Sequence, residues 1–161
     1  MRKSIYTICI TSLTDLSLAT WNSAQSKDTA LELKGTVINS DNEYVYLHRF
    51  ENKTFTVIDS AKVSKKKYSF STRLPLPDLY GVSLNRDDLP SYVFLDKGAN
   101  VIALDGDASN GESTKVSGSN SHALFESYKK AKGIVISHFI KQQPDEIVSS
   151  YVLYRDWSYK L

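Results

Sequence analysis

The chain holds 161 residues, 41% of them hydrophobic and 24% charged, with a formal net charge of +2. That length suits one domain able to bury roughly 70% of its extended-chain surface; so small a charge gives no argument for nucleic-acid binding, and no basic stripe appears in the sequence. Cys9 is the one cysteine, so these residues can form no intrachain disulfide, CxxC pair or cysteine metal site.

Met1-Arg2-Lys3, ahead of Ile5 to Ala19, reads as the basic and apolar regions of a secretory signal peptide over residues 1–25, with Asn22-Ser23-Ala24-Gln25 as the cleavage zone. Asp15 interrupts the apolar run, and Thr7, Thr11, Ser12, Thr14 and Ser17 thin it. A stable membrane span needs about 20 predominantly apolar residues and is not expected. Leu18-Ala19-Thr20 resembles the run before a lipid-modified cysteine, but Trp21 stands in the cysteine's place. The expectation is export to the periplasm or beyond without an anchor; an ordinary N-terminal strand or helix is the other reading.

Ten tyrosines against one methionine favour strands, where large rings pack on a pleated face. From Leu31 the alternation has period two: Leu31, Leu33 and Val37 share one face, and Gly35 marks a bulge or a close backbone approach. Ser40-Asp41-Asn42 is turn chemistry, and Tyr44 to His48 forms the next strand. Asn52-Lys53 turns the chain into Phe55–Val63, where Asp59-Ser60 suggests a bulge. Lys65-Lys66-Lys67 reads as a solvated turn rather than a binding patch. Tyr68 and Phe70 point one way along the following strand, and Pro75 and Pro77 impose an extended edge crossing.

Leu79–Leu84 is a strand, followed by the loop Asn85 to Pro90. Tyr92–Leu95 and Val101–Leu104 flank Asp96-Lys97-Gly98-Ala99-Asn100, the pattern of a β-hairpin whose loop needs a glycine at positive φ. A last strand lies around Thr114–Val116. Near Gly118 the period becomes helical: Ser119 or Asn120 caps a helix with Leu124, Phe125 and Tyr128 on one stripe. Gly133 breaks it from a second helical stretch carrying Ile134, Ile136, Phe139 and Ile140. Pro144-Asp145-Glu146 predicts the start of a third, bearing Ile147, Val148, Tyr151, Val152 and Tyr154. Strands first and helices last predict a mainly β fold: an antiparallel β-sandwich or partly open barrel of about eight strands over residues 26–118, with a C-terminal helical segment over 119–161.

No set of residues announces catalysis, a cofactor or a metal. His48, His122 and His138 lack HxH or HxxxH spacing and read as surface or satisfied core histidines. Asp105-Gly106-Asp107-Ala108-Ser109 opens like a calcium loop, but Val116 stands where the closing glutamate belongs, so a turn is expected. There is no GxSxG, P-loop or GxGxxG, and Ser119 to His122 fits helix capping better than nucleophile activation. Asp87-Asp88 are adjacent carboxylates in a polar loop, a poor arrangement for flanking a glycosidic bond.

The ordered pieces Leu33-Lys34-Gly35-Thr36-Val37, Ile58-Asp59-Ser60-Ala61, Phe94-Leu95 followed by Gly98, and Val116-Ser117-Gly118-Ser119 carry a resemblance. They resemble the domain of unknown function that precedes thioredoxin-like domains in many envelope proteins of Bacteroidetes, over roughly residues 31–132. The resemblance implies an accessory domain of a thiol-disulfide oxidoreductase, acting in positioning, partner recognition or dimerisation. Its partners would be a thioredoxin-like domain, another envelope protein or a second copy. The CxxC pair of that oxidoreductase would belong to the thioredoxin-like domain, and no catalytic residue maps onto this chain. The alternative expectation is a stand-alone binding module for a lipid, glycan or peptide.

Overall fold

The computed structural model describes residues 28–107, 114–131 and 135–157. The signal-like segment with Cys9, the loop positions Ser109 and Gly111, and the break expected at Gly133 lie outside the described residues. Eight strands come first: β1 (Thr29–Ile38), β2 (Tyr44–Glu51), β3 (Thr54–Lys62), β4 (Lys67–Leu74), β5 (Asp78–Ser83), β6 (Ser91–Leu95), β7 (Ala99–Asp105) and β8 (Lys115–Ser117). Helices α1 (Asn120–Lys130), α2 (Ile136–Gln142) and α3 (Ile147–Val152) follow, the last running into a π-helical turn, Leu153–Trp157. The strands form two four-stranded sheets, β4-β1-β7-β8 and β3-β2-β5-β6, packed as a sandwich with no closed barrel.

Two apolar cores follow from this layering. The inner one lies between the sheets and takes Leu31, Leu33 and Val37, and Tyr68 and Phe70, which the sequence sets on common faces, together with Val93 and Leu95. The outer one lies between the β3-β2-β5-β6 sheet and the helices, with Leu79, Phe94, Phe125, Phe139, Val148, Tyr151 and Val152 buried in it. Fully burying each such side chain stabilises the fold by about 1.5–3 kcal/mol, so the helices are fastened to the sheet as a third layer. Strand β5, covered on both faces, is buried from Leu79 to Ser83.

Local chemistry sets the turns. Asn52 and Lys53 have φ of 51° and 66°, and Lys65 and Lys66 have 51° and 63°. Positive φ at both central residues is the type I′ hairpin, whose twist matches the flanking strands. The lysine run is thus the solvated turn expected of it. Between β2 and β3 the register slips: Leu47 faces Asp59 but His48 faces Val57, so Ile58 is the extra residue of a bulge, one position from the Asp59-Ser60 site that the sequence suggests. The slip exchanges faces, placing Phe55 against Phe50 of the outer layer while Ala61 joins the inner core. Gly35 is the close approach: a Cβ there would collide with the Tyr68 ring and the Ile102 carbonyl. Across that gap the Tyr68 hydroxyl donates to Ile102 O at 3.0 Å, tying three strands.

Three expectations need correction. Tyr92–Leu95 and Val101–Leu104 do not pair with each other. Strand β6 pairs with β5, and β7 pairs with β1 and β8 in the other sheet, so Asp96–Gly98 is an arch between sheets. The flanking pattern of a hairpin and an arch is the same; only the burial of both strands' inner faces in one core separates them. The sandwich is not wholly antiparallel either, since β1 and β7 run parallel from Glu32↔Ala99 to Ile38↔Asp105. Finally, Pro144-Asp145 forms a turn and α3 begins at Ile147, with Glu146 as N-cap but no side-chain cap bond. Packing of Val148, Tyr151 and Val152 decides where that helix starts, overriding the proline signal.

Gly118 has φ +84°, and a Cβ on it would collide with Ala99 O. Gly118→Ala is expected to lower stability by about 1–3 kcal/mol in urea unfolding; an unchanged midpoint would show that the backbone relaxes there. Lys66→Gly, which relieves left-handed strain in the turn, is expected to raise stability by about 1 kcal/mol, and a loss would contradict the assigned turn.

Candidate functional site

The outer layer gathers most of the aromatic rings of the described residues. Its framework is the junction of the arch with α1. The Asp96 carboxylate accepts from Ser121 Oγ at 2.6 Å, from the Ser121 amide at 3.0 Å and from Ser119 Oγ at 3.2 Å. Ser119 is the N-cap, its hydroxyl accepting from the His122 amide at 2.9 Å. Inside the arch Asn100, buried, donates to Asp96 O at 2.8 Å and to Gly98 O at 3.1 Å. Gly98, with φ +103°, supplies the positive φ that the sequence demands of this loop.

His122 is 5% exposed. Its Nδ1 accepts from the Phe94 amide at 3.3 Å, capping the outer edge of β6, and its Nε2 faces Glu126 Oε1 at 3.6 Å. His48 is buried with Nε2 2.8 Å from Ser83 Oγ, and Ser83 Oγ donates to Asn85 O at 2.6 Å. Both are satisfied core histidines, as their spacing suggests, while His138 is exposed on α2. Burial pushes His48 and His122 below the ordinary histidine value; for His122 the nearby Glu126 carboxylate offsets part of that effect. Asp87 and Asp88 lie in the exposed loop, with Asp88 accepting from Asn85 Nδ2 at 2.7 Å. Asp105 accepts from Asn39 Nδ2, beyond the end of β1, at 3.0 Å and from the Asp107 amide at 3.1 Å, the second an ordinary turn bond. Among the described residues no three His, Cys, Asp or Glu side chains gather as a metal site, and no helix is long and apolar enough to cross a membrane.

Aromatic rings converge above β2, β5 and β6. Phe50 lies 5.0 Å from Phe55 and 6.3 Å from Tyr151; Phe94 lies 5.1 Å from Phe125 and 5.6 Å from Tyr151. Two clefts open on this cluster. One, of about 370 Å³, lies between the Asn52-Lys53 turn and α3, walled by Phe50, Leu79, Phe94, Ile147, Tyr151 and Tyr154 with Glu51 and Asp78 at its side. Burial raises the Asp78 carboxyl above its usual range, partly offset by the Leu79 amide, which donates to it at 2.7 Å, and by Arg49. The other, of about 270 Å³, is lined by Tyr92, His122, Glu126, Lys129 and Arg155. Its charges are already matched: Lys129 meets Glu126 at 2.6 Å, and Arg155 meets Asp156 at 2.5 and 2.8 Å. The Tyr128 hydroxyl donates to Asp156 at 2.5 Å; burial, reinforced by that carboxylate, pushes Tyr128 up to about 12.

The sequence points to these tyrosines only as strand and helix formers. Their convergence depends on α3 folding back over β6, which no local pattern encodes. A family model described as a domain of unknown function, DUF4369, matches residues 31–125, more than half of the chain, from β1 to Phe125 of α1. No curated protein matches the chain.

The buried histidines make stability depend on pH. Their folded values lie below the ordinary value of 6.5, so the unfolded chain binds protons more readily as pH falls. Stability is complete above that value and declines as pH drops through the folded ones. Urea midpoints from pH 7.5 down to 5 are expected to fall, and less so in His48→Gln and His122→Gln variants; a flat profile in the parent would contradict the lowering of the two histidines by burial.

Proposed function

We propose that this chain, which belongs to the DUF4369 family of domains of unknown function, works by contact rather than catalysis, as an accessory domain of an envelope thiol-disulfide oxidoreductase. The observation that carries the reading is how its reactive side chains are used. His48, His122, Asp96 and Ser119 hold strands, arch and helix together, while an aromatic cleft stays open at the surface. Disulfide exchange needs a thiolate and a second sulfur, and these 161 residues hold only Cys9. The basic and apolar N-terminal segment supports export to the periplasm or beyond. The resemblance to domains that precede thioredoxin-like modules supports a role in positioning, partner recognition or dimerisation.

A second reading, a stand-alone module for a lipid, glycan or peptide, is favoured by the cleft itself, whose volume of about 370 Å³ falls within the range of small-ligand sites. A native-state ligand raises the melting temperature by mass action, so a thermal-shift screen across those three classes supports this reading on a saturable rise. For the primary reading, the chain mixed with insulin and dithiothreitol is expected to leave disulfide reduction at the buffer rate; turnover above that control refutes a non-catalytic role.

A further inference from the structure

We propose that His122 is an acid-released latch, clamping α1 to the outer edge of β6 while its ring is neutral and letting go when the ring is protonated. Its Nδ1 accepts from the Phe94 amide at 3.3 Å, so in the closed state the ring proton sits on Nε2, which faces Glu126 Oε1 at 3.6 Å. An imidazolium donates from both nitrogens and accepts at neither. Protonation therefore sets a donor against the Phe94 amide and removes the acceptor that caps this strand edge. It also brings a positive charge into the first turn of α1, where the helix dipole opposes it.

The groups around the ring come from each element packed on it. On α1 itself Glu126 favours the imidazolium and Lys129 opposes it. Glu126 is shared with Lys129 at 2.6 Å, so it offsets only part of the cost of burying a charged ring. Tyr92 of β6 and Arg155 of the π-helical turn line the same cleft of about 270 Å³ as His122, and Arg155 is paired with Asp156 at 2.8 Å. Asp96 of the arch is engaged by Ser119 and Ser121, and Tyr151 of α3 packs on the rings of Phe94 and Phe125. The cleft gives the released ring room: a turn of the side chain takes the imidazolium from the strand edge into water beside Glu126. Phe94 and Phe125 belong to the outer core alone, so this seam can open while the packing between the sheets stays closed.

The test is NMR of the full, nitrogen-labelled chain at pH 7.5 and 5.5. At pH 7.5 the imidazole signals of His122 are expected to show a neutral ring protonated at Nε2. The exchange protection of the Phe94 amide, referred to an unstructured chain at the same pH, is expected to fall about tenfold by pH 5.5, because the open ring titrates near the ordinary histidine value and the closed ring below it. At pH 5.5 it is expected to lie below the protection of the amides of β1, which is flanked by β4 and β7 in the other sheet. His122→Gln, whose side chain takes up no proton, is expected to lose the dependence; the measurements on the parent decide the matter if that variant does not fold. A ring protonated at Nδ1 at pH 7.5, Phe94 protection that does not change with pH, or protection equal to that of β1 at both values, as global unfolding gives, overturns the proposal. An unchanged dependence in His122→Gln does the same.

Discussion

The Asp96 carboxylate, placed at the arch between the two sheets, is the interaction on which the layered structure depends. It binds Ser119 and Ser121 at the start of α1 while its own backbone is clasped by Asn100. A carboxylate at a helix N-terminus answers amide protons that have no partner within the helix. Here the same group also fixes where the chain leaves one sheet, re-enters the other, and later departs as helix. With α1 set in direction, Phe125 reaches Phe94 and His122 reaches the edge amide of β6.

The outer core is the consequence. A sandwich needs only the inner faces of its sheets buried, yet β5 and β6 also carry Leu79 and Phe94 outward. The bulge at Ile58 turns Phe55 to the same side. Those rings would be an exposed apolar patch without the helices. Covering them with α1, α2 and α3 leaves a margin open beside α3 and the β2–β3 turn, and the aromatic cleft is that margin. The helical layer and the cleft therefore draw on one set of residues: Phe94 and Tyr151 hold the helices down and also line the cleft.

The family match from residue 31 to 125 ends within α1, and the pieces that mark the resemblance have structural reasons within that span. Gly35 admits the Tyr68 ring, Gly98 turns the arch, and Gly118 passes under Ala99 O. Ser119 caps α1 and binds Asp96. These positions keep the framework in register and leave the chemistry of the cleft to residues on β2, β5 and the C-terminal helix.

Much of the secondary structure was legible because it is written locally. Period-two burial in β1, the Asn52-Lys53 and Lys65-Lys66 turns, the demand for positive φ at Gly98 and the hydroxyl cap before α1 each involve neighbours in sequence. The sequence by itself therefore determined a mainly β chain with helices after it, free of a usable thiol pair and of metal-spaced histidines. What only the tertiary structure decided is which strands meet: that Tyr92–Leu95 and Val101–Leu104 part into different sheets, that β7 lies parallel to β1, and that α3 starts at Ile147. It also decided that Phe50, Phe94, Tyr151 and Tyr154 share one cleft with Asp78. An arch and a hairpin have the same local pattern of apolar strands around a glycine turn, and partners distant along the chain are chosen by the burial of whole faces, a sum over residues that no short stretch contains.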